Sequence, residues 1–471
     1  MSVLPDGLSS PTLGLRSMGD LPPTETSRSI GIRPAAETTC TWLSVGAETM
    51  DRDYTQYGEW REHLGPLGVT KARLQAGWEK TEGTRGVYDF RWLDEIVLDM
   101  ADQGVTPWMC LCYGNTNIDG GGGSRLGASA PSSPDGQRAW LDWVRQVVAR
   151  YGDVIDEWEV WNEPNNVWME WEDDHTEGNA PGTYADLYVR TGRAIRALQP
   201  DATLLAMSLA GTDPSWCRDA LAAIAERDAL DLVDEITYHP YSYNPDAVFG
   251  DVAELRATVD AFDPSITLRQ GENGAPSEYG EQRALSEHEW TETAQAKWAL
   301  RRLLGDRARG IPSSYFQIMD MHYPDEVNRK GLLYSEPDQS VGHRKEAYDA
   351  VGHLAAVFDD GLEPRGHAAI SAETDRSLAA YGFERRGSGE GVIALWFDDE
   401  IPHDEVSPAT TTVTVTRPTV RDPVVCDLRT GDVWTPSADA VNHAGTVLVI
   451  EDVPVYDSPV LVADAGAIPT V

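Results

Sequence analysis

The chain has 471 residues, 41% of them hydrophobic, which is enough for a large core in one big domain with a smaller companion and argues against a disordered protein. Acidic residues outnumber basic ones by 77 to 38, leaving a net charge of −39, and only five of the basic residues are lysines. So negative a surface repels phosphate backbones and anionic lipid heads, which argues against nucleic-acid and membrane partners; its strong solvation reads as that of a salt-adapted protein, with an ordinary acidic cytosolic protein as the alternative.

Residues 1–35 are rich in Pro, Ser, Thr and Gly and carry little periodicity, so they read as a mobile arm or a strap across a later domain. They show no basic start leading into an apolar run, and no later stretch approaches the ~18 apolar residues of a membrane span. Unless a leader has been removed, the expectation is a cytoplasmic protein. From 36 to 362 the chain alternates. Apolar, strand-like runs at 42–47, 69–75, 105–113, 157–161, 202–209, 234–239, 266–271 and 314–321 are separated by helix-period segments, among them 91–104, 137–152, 183–200, 251–262 and 292–306, and are followed by 343–359. Eight strand-then-helix units without an early Gly-rich phosphate turn predict an α/β protein, a (β/α)8 TIM barrel, over an open doubly wound sheet. From 363 to 471 the pattern becomes period-two alternation with turns at RTGD and NHAG, which predicts a C-terminal antiparallel β-sandwich that braces the barrel. The five cysteines, Cys40, Cys110, Cys112, Cys217 and Cys426, have no framework spacing and read as free thiols in a reducing compartment. Cys110 and Cys112 share a strand face but lack the further ligands of a metal site, and read as core thiols.

In such a barrel the working side chains project from the C-terminal strand ends. Those ends supply Arg73 and Gln75, then Tyr113 and Asn115, then Trp161, Asn162 and Glu163, then His239 and Tyr241, then Glu272, and finally Asp320, His322 and Tyr323. Two carboxylates at the ends of strands four and seven suit hydrolysis of a glycosidic bond, one protonating the leaving oxygen while the other attacks the anomeric carbon or activates water. Glu163, walled by Trp161 and near a second carboxylate, is expected to have a raised pKa and to act as the acid. Glu272 sits between Gly271 and Gly274 and is expected to keep its charge beside Arg73 and Tyr241. Asn162 would bond a sugar hydroxyl, while Trp78, Tyr243 and Tyr323 would cover apolar sugar faces; Trp168 and Trp171 either wall a subsite or pack their own loop. The Gly-rich stretch at 119–133 either rims a subsite or makes a surface excursion, and the sequence leaves both open.

The NEP after strand four, the HPY after strand six and the EN after strand seven resemble the retaining glycoside hydrolases of clan A. The stretch RLQAGWEKTEGTRGVYDFRWLDEIVLDMADQGVTPW, with KGLLYSEPDQ and HRKEAYDAVGHL, is similar to glycoside hydrolase family 39, the β-xylosidase and α-L-iduronidase group. That resemblance implies Glu163 as acid/base, Glu272 as nucleophile, Asn162 as partner of the acid/base, His239 and Tyr241 as the strand-six pair, and Arg73 as the strand-two arginine. It also implies a carbohydrate substrate and no cofactor. One departure stands out: where many clan members carry a Trp at the end of strand eight, this chain has IMDMHY, which leaves the glycone sugar open. The acidic run EWEDDH, with His175, reads as a solvated loop and not as a metal site. Two rivals remain on the same residues. One is a metal-dependent sugar isomerase or epimerase using His239, His322 and nearby carboxylates; the other is a non-catalytic sugar-binding barrel. Oligomeric state is not legible.

Overall fold

The computed structural model describes residues 28–166, 180–281, 283–366, 369–416 and 418–471. Eight parallel strands close a barrel in chain order: Leu43–Gly46, Lys71–Gln75, Thr106–Leu111, Glu157–Val160, Thr203–Ala210, Glu235–His239, Thr267–Asn273 and Ser313–Tyr315. The first strand pairs with both the second and the eighth, with Leu43 opposite Ser313 and Ser44 opposite Lys71, so the sheet has no free edge. The strands are almost wholly buried, as a barrel requires whose inner face is filled by side chains and whose outer face is covered by helices.

The helices form where the apolar spacing is helical. In Arg91–Asp102 the buried positions are Leu93, Ile96, Val97 and Met100, one stripe laid against the barrel. Pro134–Tyr151 starts at Ser133, whose hydroxyl accepts the Gly136 amide at 2.9 Å, with proline at the first helical position. The sequence reading left out one helix, Pro214–Ala225, capped by the Asp213 carboxylate at 3.0 Å from the Trp216 amide. Helix Glu292–Ala308 is buried nearly all round, including Lys297, Arg301, Arg302 and Asp306, because the sandwich covers the side that the barrel does not.

The eighth strand corrects the expectation of a run from 314 to 321. It ends at Tyr315, and Met321–His322 instead pairs antiparallel with Val327–Asn328. Ile318, Met319 and Met321 remain buried, so an apolar run continues through a segment that has already left the barrel sheet. Asp320 holds that segment: its carboxylate accepts from Lys345 Nζ at 2.6 Å, Arg329 Nη1 at 3.1 Å and the Gly331 amide at 3.0 Å.

Beyond the barrel, two antiparallel sheets of seven and four strands face each other. Strand Gly391–Phe397 has two buried faces. Val392, Ala394 and Trp396 belong to the core shared with the barrel, while Ile393, Leu395 and Phe397 belong to the core between the sheets. Arg28–Ser29 adds an edge strand to the larger sheet opposite Asp432 and Val433. The expected turns fall at Gly431 and Gly445, with φ of 78° and 62°, values that favour glycine. All five cysteines are free and buried.

Candidate active site

At the C-terminal mouth of the barrel a cavity of about 710 Å³ is lined by residues from several strand ends and the loops after them. Its floor is organised by Arg73, which is fully buried. One guanidinium nitrogen, Nη1, donates to Glu48 at 2.7 Å and to Glu272 at 3.0 Å. Nη2 donates to Glu159 at 2.5 Å, Asn162 Oδ1 at 2.8 Å and Ser208 Oγ at 3.1 Å, and Nε reaches Glu159 at 2.9 Å. A planar fork with five donors suits this arrangement; a lysine would not.

Glu272 is the sixth residue of the seventh strand, and its other oxygen accepts the Tyr241 hydroxyl at 2.9 Å. Glu163 is delivered from the opposite side. The fourth strand stops at Val160, and Trp161 and Glu163 take left-handed backbone with φ of 71° and 49°, a conformation that L side chains seldom hold without surrounding support. Support comes from the Glu163 amide, which donates to the Ser208 carbonyl at 2.9 Å, and from Pro164, which ends any further ladder. Glu163 Oε1 lies 3.0 Å from His239 Nδ1, and Oε2 accepts from Asn166 Nδ2 at 2.9 Å. Atoms of Glu163, His239 and Glu272 all lie within 4.8 Å of one another, so the two carboxylates face each other across the cavity.

The electrostatics correct one expectation. Burial pushes the Glu163 pKa up, but hydrogen bonds from His239 and Asn166 and the charges of His239 and Arg73 outweigh it, so the net shift is downward. The carboxyl pushed upward is Glu48, to about 7, by burial and the neighbouring Glu272 charge against the opposing pull of Arg73. Burial lowers the His239 pKa, yet Glu272 and Glu163 reverse the sign and raise it. Lys330 also lines the cavity, and burial pushes its ammonium down to about 7 against the pull of Glu272.

Of the residues expected at the site, Arg73, Tyr113, Asn162, Glu163, His239, Tyr241, Glu272 and Tyr323 come together here. Tyr113 accepts from Asn162 Nδ2 at 2.8 Å, and Tyr323 stands edge-on to Tyr54 at 5.2 Å. Others do not join them. Trp78 is fully buried against Trp140 and Trp143, with its indole N–H given to Glu82 at 2.6 Å, so it serves the core and not a sugar face. Tyr243 is 41% exposed and donates to the Ser286 carbonyl at 2.6 Å, away from the cavity lining. His322 turns to Ser335 Oγ at 2.8 Å, because the strand that was to carry it ends seven residues earlier. Asn115 is likewise structural, donating to the Glu82 carbonyl at 2.8 Å. Trp168, Trp171 and His175 lie outside the described residues. From the Gly-rich stretch, Leu126 and Gly127 reach the cavity wall, so this loop rims the site.

Glu48, Glu159, Ser208 and Lys330 were not anticipated. Glu48 follows the first strand by two residues and was open to the same strand-end reading; Ser208 needed a bulge that no alternation reveals. As a metal site the trio Glu163, His239 and Glu272 has the right atoms at the right spacing. It fits poorly in charge, since the Arg73 guanidinium 3.0 Å from Glu272 already occupies the cation's place, and the second imidazole of an isomerase, His322, is elsewhere.

Residues 68–257 match the family model of glycosyl hydrolases family 39. A β-xylosidase of Geobacillus stearothermophilus is 28% identical over 165 residues, 33% of this chain and 31% of that protein, so the match spans about a third of its length. Among solved structures, a family 39 glycoside hydrolase from the gut symbiont Bacteroides cellulosilyticus WH2 has a TM-score of 0.65 at 17% identity, covering 92% of this chain and 82% of that one. A monomeric β-xylosidase from Caulobacter crescentus CB15 has a TM-score of 0.60 at 18% identity, covering 93% and 97%. At these identities the structural likeness carries the fold: a TIM barrel with a β-sandwich. The family 39 resemblance drawn from residues 73–108 is borne out over 68–257, a span that includes the NEP and HPY motifs but ends before EN.

Proposed function

From a barrel whose residues 68–257 carry the family 39 pattern, we propose that the protein is a retaining glycoside hydrolase working by double displacement, with Glu272 as nucleophile and Glu163 as acid/base. The observation that carries the proposal is the facing pair: carboxylate oxygens within 4.8 Å, on the short side of the ~5 to 5.5 Å expected for retention and well below the ~6.5 to 9.5 Å of inverting enzymes. In the first step Glu272 attacks the anomeric carbon, the glycosidic C–O bond breaks, and the Glu163 proton goes to the departing oxygen. In the second, Glu163 takes a proton from water, the water oxygen bonds the anomeric carbon, and the ester to Glu272 opens. Asn162, Tyr113 and Tyr323 line the sugar pocket, Arg73 and Tyr241 hold the nucleophile, and no cofactor enters.

Exo-action on β-xyloside-like oligosaccharides is the substrate class we favour, since relatives by sequence and by structure include β-xylosidases. A cavity of about 710 Å³ is in the range of small-ligand sites, roughly 300 to 1,000 Å³. The salt-adapted character and a cytoplasmic setting belong to the same proposal, supported by the charge of −39 and by five unpaired, buried thiols. No described helix is long and apolar enough to cross a membrane. A panel of aryl glycosides with wild type, Glu272→Ala and Glu163→Ala tests the assignment. Glu272→Ala should abolish turnover. Glu163→Ala should lose about 10² to 10⁴-fold and recover with azide when the leaving group is good. Full activity in both variants sinks the pair, and activity lost on chelation would favour the metal-dependent rival.

A further inference from the structure

The geometry points to Ser208 as a positioning residue of the acid/base: its hydroxyl, pinned by Arg73, fixes which nitrogen of His239 carries the proton, so that His239 presents a donor to Glu163. This rests on the hydrolase reading for its kinetic arm but not for its structural one. Ser208 reaches the site through an irregularity in the fifth strand. Pairing with the sixth strand runs Ala206 to Ile236 and then Leu209 to Tyr238, three residues against two, with Met207 and Ser208 at φ of 76° and 45°. The extra residue is a bulge, and a bulge re-aims a side chain that regular alternation would send elsewhere. Here it turns Ser208 Oγ into the barrel mouth, fully buried, while the Ser208 carbonyl takes the Glu163 amide.

Three groups meet at that hydroxyl in a directed order. Arg73 is a donor only, so at 3.1 Å from Nη2 the Ser208 oxygen accepts. Its single hydrogen then has two places to go: His239 Nε2 at 3.0 Å, or Asn162 Oδ1 at 3.5 Å, which already takes a hydrogen from Arg73 at 2.8 Å. The shorter, unshared acceptor wins. Above the raised pKa of His239 the ring is neutral; there Nε2 is the acceptor, the proton sits on Nδ1, and Nδ1 donates to Glu163 Oε1 at 3.0 Å. His239 also faces Glu272 at 3.6 Å, with Arg73, Glu48 and Glu159 behind it. Glu163 faces the Tyr113 and Tyr241 hydroxyls besides. None of these touches Nε2 more closely than Ser208, so the tautomer is set from the fifth strand.

Without the hydroxyl, the neutral ring is free to carry its proton on Nε2 and to accept at Nδ1 from a protonated Glu163, which favours the acid form of that carboxyl. Ser208→Gly removes the oxygen and suits the left-handed backbone, and Ser208→Ala is the second variant should glycine loosen the strand. In a ¹⁵N spectrum of histidine-labelled protein, followed upward in pH until the His239 ring is neutral, wild type should show Nδ1 protonated and Nε2 accepting, and both variants should lose that pattern. In pH profiles of kcat/KM the alkaline limb should move up by about one unit in both variants, with Ser208→Cys, a weaker donor, falling between. An unchanged tautomer with an unchanged limb overturns the assignment. Should wild type turn over no glycoside, the hydrolase reading falls while the nitrogen spectrum still reads Ser208 directly.

Discussion

Arg73 donates to Glu48, Glu159, Glu272, Asn162 and Ser208 from a guanidinium that water does not reach, so its replacement touches stability and chemistry at once. Arg73→Met leaves Glu48 and Glu159 buried without their cation, and removing one partner of a buried ion pair costs about 3 to 5 kcal/mol. We expect a large fall in melting temperature together with lost turnover; a variant as stable as wild type would contradict the burial. Glu48 gives a pH signature. Its folded pKa of about 7 lies above the ordinary value of 4.5, so the native state binds the extra proton between those values. Its contribution is therefore fully present below about 4.5 and lost as pH rises toward 7. Glu48→Gln should gain stability relative to wild type as pH goes from 5 to 8, read from urea melts; a difference independent of pH would refute it. Reading strand ends identified Glu163 and Glu272 as candidates because NEP and EN are local signals. It passed over Ser208 because its orientation depends on one inserted residue, and it misjudged the Glu163 shift because the donors His239 and Asn166 are brought in by folding.

At the scale of elements, the barrel carries a second charged cluster at its other end. Glu157 starts the fourth strand and pairs with Lys71 at 2.6 Å and Arg269 at 2.9 Å, and Arg269 also holds Glu235 at 2.7 Å. These four residues lie on strands two, four, six and seven, so the cluster stitches strands that are not all neighbours. Burial pushes the Glu157 pKa up, but Arg269 and Lys71 outweigh it and bring it down to about 2. A depressed carboxylate stabilises the fold above its unfolded pKa, and that contribution, roughly 3 kcal/mol, is lost as pH falls from 4.5 toward 2. Glu157→Gln should flatten the acid limb of stability over that range, measured by urea melts at pH 5 and pH 3; an unaltered slope would sink the assignment. Seven of the eight strands were legible from short apolar runs between helical segments. The eighth was not, because buried residues continue past Tyr315 while the hydrogen-bond ladder does not. Helix Pro214–Ala225 was passed over although Asp213 and Pro214 mark its start.

Over the whole molecule, the sandwich is fastened by buried charge as well as by apolar surface. Lys297 of the barrel helix meets Asp457 at 2.8 Å and donates to the His403 and Glu405 carbonyls at 2.9 and 2.6 Å, and Arg429 pairs with Glu346. These contacts join residues too far apart in the chain for local pattern to reveal, whereas the alternation that built the sheets was plain. The surface has its own test. With a net charge of −39, added salt screens repulsion that the folded state concentrates, so melting temperature should rise between 0.1 and 2 M KCl; a maximum in dilute buffer would contradict the salt-adapted reading. Strand Gly391–Phe397 has a consequence for cooperativity. Because its odd and even side chains belong to different cores, neither core can melt while the other keeps that strand in place. Barrel and sandwich are therefore expected to unfold in a single calorimetric transition, and damage to the outer sheet should shorten the lifetime of a barrel mouth it never touches.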